Sequence, residues 1–146
     1  MRDTKNINVL LVEDNPGDIE LVKESFEEAD YAAKLFIAED GRQALDYLYQ
    51  NPPFIDAVKP DIILLDLNLP YTNGQGVLEV LKSDAQLKLI PVVVFTSSMS
   101  KKDKMSCYDL HANCYVVKPV DVMDFMRTVQ SIGRFWSSLV ALPKAS

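Results

Sequence analysis

The amino-acid sequence predicts an α/β fold, a five-stranded parallel sheet with helices on both of its faces. Short apolar runs alternate along the chain with longer stretches in which apolar residues recur at helical spacing. Several apolar runs are continuous and do not alternate with polar residues, a pattern typical of strands buried on both faces of a parallel sheet. The 146 residues correspond to one domain, at roughly 100–200 residues per domain.

The five predicted strands are short runs of aliphatic and β-branched residues. Their length and composition favour strand over buried helix, which periodicity alone does not distinguish. Right-handed crossovers between parallel strands leave few topologies, and the flavodoxin-like order is a common one. The longest irregular stretch, 50–60, contains three prolines that stop any helix. The predicted strands span residues 9–12, 35–38, 62–65, 92–95 and 115–117.

Five helical stretches follow the strands in turn. The first follows Asn15-Pro16, a capping residue with proline at the first helical position. The next three follow Gly41, Gly74 and Ser100, and the last begins near Asp121. The apolar residues that define the helices are Ile19, Val22 and Phe26, then Ala44, Leu45 and Leu48, then Val77, Leu78 and Leu81, then Met105, Tyr108 and Leu110, and finally Met123, Met126 and Val129.

Composition and charge exclude several classes of protein. The net charge is −6 and the pI about 4.7, whereas a protein that binds nucleic acid normally presents a basic face. No apolar run approaches the ~20 residues needed to cross a bilayer, and the start of the chain lacks the form of a signal peptide. The 2 cysteines are too few for a disulfide framework. We therefore expect a cytoplasmic protein that binds neither nucleic acid nor membranes.

Polar residues with a shared chemistry follow four of the predicted strands. Glu13 and Asp14 follow the first, Asp66 follows the third, Thr96 follows the fourth and Lys118 follows the fifth. Parallel strands end at the same edge of a sheet, so these side chains should converge. Clustered carboxylates need a compensating cation, and oxygen ligands suit Mg²⁺. A carboxylate beside such a metal can accept a phosphoryl group, with a hydroxyl and an ammonium around the transferred group.

With these motifs the chain resembles the response-regulator receiver domains of two-component signalling, the CheY-like family. The resemblance is carried by Leu11-Val12-Glu13-Asp14-Asn15, by 63–70 with Gly74, by Val94-Phe95-Thr96-Ser97 and by Tyr115-Val116-Val117-Lys118-Pro119. It covers nearly the whole chain. It implies a phosphoacceptor signalling domain, whose only expected chemistry is its own phosphorylation and dephosphorylation.

The resemblance also implies a role for each site residue. Asp66 would receive the phosphoryl group from a sensor histidine kinase, and Lys118 would pair with the phosphoryl oxygens. Thr96 and Tyr115 would act as switch residues, Thr96 by moving toward the phosphoryl group and Tyr115 by changing rotamer. The peptide bond between Lys118 and Pro119 is commonly cis in this family. Mg²⁺, with Mn²⁺ as an alternative, would be held by Glu13, Asp14, Asp66 and the backbone carbonyl of Asn68.

A narrower resemblance links the chain to the single-domain receivers that serve phytochrome-type histidine kinases. It rests on residues 108–115, on Phe135-Trp136 and on Leu142-Pro143. It implies a photosensor kinase as the partner. Asn68 and Ser98 occupy positions that influence phosphoryl lifetime in the family, so that lifetime stays open.

Other functions fit these residues less well. A phosphatase with an aspartate nucleophile wants a second acid two residues after it, where this chain has Asn68. Flavin binding needs a phosphate loop after the first strand, where Glu13-Asp14 would repel a phosphate. An unphosphorylated interaction module remains an alternative. A zinc site at Cys107, His111 and Cys114 lacks the fourth ligand of a closed site, and His111 is better explained as a helix-end residue.

The last predicted helix is longer than the sheet requires. Its apolar residues recur through about five turns, whereas roughly three cover a sheet of this size. We expect those from Phe125 to Ile132 to be core, and those beyond to pass the sheet edge and form a homodimer interface, with Tyr108 and Tyr115 as alternative contacts. The receiver core would span about 6–134 of a single domain, 1–146, and the extension about 135–146. The predicted interface residues are Phe135, Trp136, Leu139, Val140 and Leu142.

Overall fold

Five parallel strands and five α-helices alternate in the computed structural model of the chain, which describes residues 6–139. The strands are β1 (Ile7–Val12), β2 (Ala33–Ala38), β3 (Ile62–Leu65), β4 (Val92–Thr96) and β5 (Cys114–Val117). The helices are α1 (Pro16–Glu27), α2 (Gly41–Leu48), α3 (Gly74–Ser83), α4 (Lys101–Asp109) and α5 (Val122–Arg134), with a 3₁₀ turn at Leu87–Leu89. No helix in this described part is long and apolar enough to cross a membrane.

The strands form one sheet in the order β2-β1-β3-β4-β5. Every pairing is parallel, and the registers bring the ends of the strands together: Val12 pairs with Leu65, and Leu65 with Val94. Thr96 pairs with Val117 at the far side. The residues that end or directly follow β1, β3, β4 and β5 therefore lie along one edge, which we call the rim. The predicted fold class is confirmed.

A short polar side chain caps the start of each α-helix in the described residues. Its oxygen accepts a hydrogen bond from a backbone N–H in the first turn, a donor that has no partner within the helix. In α1, proline follows the cap and fixes the backbone angle of the first turn. These caps explain why each helix begins directly after a loop that leaves the sheet. The capping residues are Asn15, Asp40, Asn73, Ser100 and Asp121.

The side chains of the strands enter two apolar layers, one on each face of the sheet. Leu10 and Val12 belong to the layer that contains the buried side chains of α2, α3 and α4. Val9 and Leu11 belong to the layer formed with α1 and α5. Because both faces are covered, the central strands need apolar residues at consecutive positions, which explains the continuous runs in the sequence.

The proline-rich stretch 50–60 is a connection between α2 and β3 that is held against the core. The ring of Phe54 lies 5.6 Å from that of Tyr47, centroid to centroid. The Tyr47 hydroxyl donates a hydrogen bond to the carbonyl of Val58, at 2.7 Å. This connection thus has a packing role, which the sequence did not specify.

The helix predicted after Ser100 is confirmed as α4, but two of the apolar residues that indicated it are exposed. Met105 and Tyr108 are 58% and 45% exposed, and the buried residue of this helix is Cys107. The helix covers the side of the sheet that ends in the four-residue strand β5, and it buries only a narrow face there. Spacing of three residues was therefore not sufficient to identify which side of α4 faces the core.

Cys107, His111 and Cys114 do not form a cluster. Cys107 is buried in α4, and Cys114 lies on β5. His111 adopts a left-handed backbone conformation with φ of 68°, and its N–H donates to the Tyr108 carbonyl at 2.9 Å. This is the helix-end role predicted for it. Within residues 6–139 the group of acidic, histidine or cysteine side chains able to hold a metal is Glu13, Asp14 and Asp66.

The expectation of a cis peptide bond before Pro119 is wrong. Among the described residues the cis bond lies between Pro52 and Pro53. A peptide bond before proline still favours trans by about 0.5–1 kcal/mol, so the motif Lys118-Pro119 alone does not select the cis form.

Trp136 lies in the core, and the expectation that its side chain passes the sheet edge is wrong. After α5 the chain continues as a π-helical turn, Phe135–Leu139. Trp136 is only 9% exposed and belongs to the layer that includes Ile7 and Phe26, while Phe135 beside it is 47% exposed. Trp136 comes seven residues after Val129 and thus returns to the buried face of the helix. Val140 and Leu142, and the side chain of Leu139, are outside the described residues.

Gly74 permits a close backbone contact beneath the rim. A Cβ at this position would lie 2.4 Å from the carbonyl oxygen of Asp66 and 2.6 Å from Cα of Leu67. Gly74→Ala should therefore displace the loop after β3 and lower the free energy of unfolding by about 1–3 kcal/mol in chemical denaturation. Gly17→Ala is the control, because its Cβ would meet only Asn15 Oδ1 at 3.3 Å. Equal losses in the two variants would contradict this account.

Candidate functional site

Four strands of the sheet deliver the polar residues of the rim. The N–H of Glu13 donates to the Ala38 carbonyl, and the N–H of Asp66 donates to the Val12 carbonyl, each at 3.0 Å. The N–H of Lys118 donates to the Thr96 carbonyl at 2.7 Å. These bonds continue the ladders of the sheet by one residue. The backbone positions of the site are therefore fixed by strand pairing.

Three carboxylates converge at the rim. Glu13, Asp14 and Asp66 each offer one oxygen, and these oxygens all lie within 4.8 Å of one another. Glu13 and Asp66 are buried, while Asp14 is exposed. An all-oxygen group with one open side fits Mg²⁺ or Mn²⁺, which bind carboxylates and keep several waters. The structure thus brings together the predicted carboxylate ligands.

Lys118 is the cation that balances these carboxylates. Its Nζ lies 2.5 Å from Glu13 Oε1, 2.8 Å from Asp18 Oδ2 and 3.2 Å from Asp66 Oδ2, and its side chain is 7% exposed. Burial by itself would lower the pKa of Lys118, but hydrogen bonds to Asp18 and Glu13 and the charges of Glu13 and Asp66 hold it above its ordinary value. The ammonium is therefore charged and has a carboxylate for each of its three N–H donors.

Burial acts to raise the pKa of Glu13, whereas it acts to lower that of Lys118. Removal from water raises the pKa of this carboxyl to about 7, with the charge of Asp66 adding to the rise and the bond from Lys118 opposing it. The second carboxylate oxygen, Oε2, accepts a hydrogen bond from the N–H of Asn15 at 3.3 Å. The site is thus short of positive charge in the absence of a bound cation.

Asp66 is oriented by two contacts on different oxygens. The N–H of Leu67 donates to Oδ1 at 2.7 Å, and Lys118 Nζ lies near Oδ2. The N–H of Asn68 also points to Oδ1, at 3.5 Å. These contacts fix the rotation of the carboxylate, which is a requirement for in-line attack on phosphorus. The carbonyl of Asn68 as a metal ligand remains a prediction.

Thr96 and Tyr115 are both hydrogen-bonded to the backbone of Ser98. Thr96 is fully buried, and its Oγ1 accepts a hydrogen bond from the Ser98 N–H at 3.4 Å. The Tyr115 hydroxyl donates to the Ser98 carbonyl at 2.9 Å, and burial raises the pKa of Tyr115. The Ser98 hydroxyl donates to Asp103 at 2.6 Å. The predicted switch residues are therefore linked by the loop between β4 and α4.

Asp18 is the residue of the site that sequence reasoning missed. It lies in the first turn of α1, where its N–H donates to the Asn15 cap at 3.0 Å. A first-turn acid is ordinarily explained by the helix dipole, which conceals any further role. The usable signal was that α1 begins directly after Glu13-Asp14. A side chain in its first turn must therefore face the rim.

The sequence and the structure both have close known relatives. Residues 9–130 match the response regulator receiver domain family. Response regulator Rcp1 of Synechocystis sp. is 41% identical over 137 residues, which cover 94% of this chain and 93% of Rcp1. The phosphorylated cyanobacterial phytochrome response regulator RcpA has a TM-score of 0.92 at 40% identity, covering 96% of this chain and 100% of that one. The Mn²⁺-bound form of Rcp1 has a TM-score of 0.89 at 40% identity, covering 94% and 99%. This chain belongs to the response regulator receiver family.

Proposed function

We propose that the chain is a single-domain response regulator that accepts a phosphoryl group on Asp66 from a histidine kinase, with Mg²⁺ bound beside it. The observation that carries the proposal is the placement of Asp66 between an oxygen-rich cation site and the charged Lys118. The only chemistry proposed is phosphorylation of Asp66 and its reversal. The protein would act in the cytoplasm, with a receiver core at about 6–134 and an extension at 135–146 that begins by packing Trp136 into the core.

The residues of the rim divide the work of phosphoryl transfer. A carboxylate oxygen of Asp66 forms a bond to phosphorus while the bond from phosphorus to the kinase's histidine nitrogen breaks. Glu13, Asp14 and Asp66 hold the divalent cation, which neutralises charge on the phosphoryl oxygens when bound. Lys118 donates to a phosphoryl oxygen, and the Thr96 hydroxyl moves to another. The loop at Ser98 and Tyr115 responds, so that phosphorylation changes protein contacts at the surface.

The proposed partner is a phytochrome-like sensor kinase. This proposal is supported by the likeness to Rcp1 and to RcpA, the latter described as a phytochrome response regulator. A third similar structure, RPA3017, is described as acting in red light signalling and is 34% identical with a TM-score of 0.88. Phosphoryl transfer from a purified phytochrome kinase, compared with a kinase of another sensory class, tests this part.

The test of the function is direct phosphorylation of the purified chain. Acetyl phosphate with Mg²⁺ should give one phosphoryl adduct by intact mass, stable in acid and labile in base, and peptide mass spectrometry should place it on Asp66. Removal of the divalent cation with EDTA should prevent the adduct. No adduct, an adduct on another residue, or steady turnover of unrelated phosphate esters would each overturn the proposal.

Lys118→Met should separate metal binding from phosphoryl transfer. The ammonium repels a divalent cation and occupies two of its proposed ligands, so its loss should tighten Mg²⁺ binding by about tenfold. The same substitution removes the positive charge that stabilises the phosphoryl group during transfer, and it should slow phosphorylation by at least about 100-fold. Calorimetry measures the first and intact mass against time the second. Lys104→Met, at an exposed position of α4, is the control and should change neither.

We further propose that the chain forms a homodimer through the extension that follows α5. The support within the described residues is Phe135, whose ring is 47% exposed beside the buried Trp136. Exposed aromatic side chains are frequent at protein interfaces. Sedimentation of Phe135→Ser should show a shift toward monomer relative to wild type. A wild-type monomer, or an unchanged dimer in the variant, would contradict the proposal.

A further inference from the structure

We infer that Asp18 is a positioning residue that holds Lys118 when a divalent cation enters the site, and thereby sets the affinity for that cation. The inference deepens the proposed function, because it concerns the same rim and the same lysine. It predicts that a residue outside the metal ligands controls metal binding through a second side chain.

The contacts of Lys118 divide into two kinds. Glu13 and Asp66 are shared between Lys118 and the divalent cation, since both contact the ammonium and both belong to the group that can hold a metal ion. Asp18 is not part of that group, and it contacts Lys118 from α1 at 2.8 Å. Asp18 is thus the one carboxylate among these three partners that a bound cation leaves free for the ammonium.

The two cations compete for the shared carboxylates. Mg²⁺ held by Glu13, Asp14 and Asp66 would put two positive charges beside the ammonium that contacts two of these carboxylates, and like charges so close repel strongly in a buried site. Lys118 must therefore give up part of its contact with Glu13 and Asp66. If no other acceptor were present, its buried N–H donors would lose partners, which is costly. Asp18 supplies that acceptor without any rearrangement.

Asp18 is well fixed for this role. Its backbone N–H is held by the Asn15 side chain at 3.0 Å, and its own side chain is 26% exposed, so water can solvate its second oxygen. The rigid start of α1, with Pro16 at its first position, keeps the carboxylate at the rim. Helix α1 therefore fixes the position of the carboxylate that Lys118 keeps as a partner when a cation binds.

Both physical effects of removing Asp18 have the same sign. Asp18→Asn removes one negative charge near the incoming cation, and it weakens the alternative partner of Lys118. Each effect opposes Mg²⁺ binding. Only the second requires Lys118, so the two are separable by a double-mutant cycle.

The test is Mg²⁺ titration by calorimetry of wild type, Asp18→Asn, Lys118→Met and the double variant. We expect Asp18→Asn to weaken Mg²⁺ binding by about tenfold in the wild-type background and by about twofold or less in the Lys118→Met background. Glu20→Gln removes the same charge from α1, at a side chain paired with Lys23, and should match the smaller effect. Asp18→Glu, which restores an acidic acceptor, should recover part of the affinity.

Side-chain NMR of the Lys118 ammonium gives a second readout that does not depend on phosphorylation. Its signal should stay protected from exchange on Mg²⁺ binding in wild type and lose protection in Asp18→Asn. Equal losses of Mg²⁺ affinity with and without Lys118, or no loss at all, would overturn the inference. Acetyl phosphate labelling is scored separately. Labelling of Asp66 without coupling overturns only this inference, and coupling without labelling overturns only the proposed function.

Discussion

Asp66→Asn should abolish the phosphoryl adduct completely while leaving the chain folded. The amide has the shape of the carboxylate, and its oxygen still accepts the hydrogen bond that Leu67 donates to Oδ1. It has no anionic oxygen to attack phosphorus, so the reaction loses its nucleophile. Intact mass after incubation with acetyl phosphate and Mg²⁺ measures the adduct, and circular dichroism confirms the fold.

The matched control for this variant is Asp56→Asn, which makes the same chemical change at an exposed residue of the 50–60 connection. It should accept a phosphoryl group as wild type does. Asp66→Asn should also bind Mg²⁺ more weakly, because one of the three clustered carboxylates has lost its charge. An adduct of wild-type yield on Asp66→Asn would show that another residue is the acceptor.

Trp136→Ala should destabilise the chain by about 3–5 kcal/mol, the usual cost of emptying a buried aromatic site. Its ring is almost fully buried in the layer that also contains Phe26, Phe125 and Val129. Removing it leaves a cavity in this layer, to which α1 and α5 both contribute buried side chains. Urea denaturation gives the free energy of unfolding, measured at two protein concentrations so that any association is separated from folding.

Trp136→Phe is the matched variant, because it keeps most of the apolar volume and should cost clearly less than Trp136→Ala. A loss below about 1 kcal/mol in Trp136→Ala would mean that the residue is not part of the core. Because Trp136 is part of the core, a change in the sedimentation of Trp136→Ala would report unfolding before any loss of an interface.

Most of the fold and of the site could be predicted from the sequence, because the residues at the end of each strand show both where the strand stops and which side chains reach the site. The continuous run at 62–65 identifies a doubly covered strand, and the residue that follows it, Asp66, must then lie at the edge of the sheet. The same reasoning placed Glu13, Thr96 and Lys118 on neighbouring strand ends, and the register of the sheet brings them together.

What the sequence could not supply were facts that depend on the length and angle of helices. Trp136 was assigned to the surface because a sheet of average strands needs only about three helical turns, but α5 also packs along α1 and its covered length is greater. The spacing of Met105 and Tyr108 indicated the helix α4 but not its buried face, because both of these side chains are exposed and Cys107 is buried instead. Asp18 was missed because first-turn acids are common for a simpler reason.

The contacts of Lys118 also constrain when the site can exist during synthesis of the chain. Its partner Glu13 is 105 residues earlier, and Asp18 is 100 residues earlier. Contacts this distant in sequence form slowly, because a long loop must be closed before they can contribute any stability. A chain still growing on the ribosome, or cut short before β5, carries the carboxylates without their ammonium. Only the finished sheet joins them, so competence to receive a signal and completion of the fold arrive together.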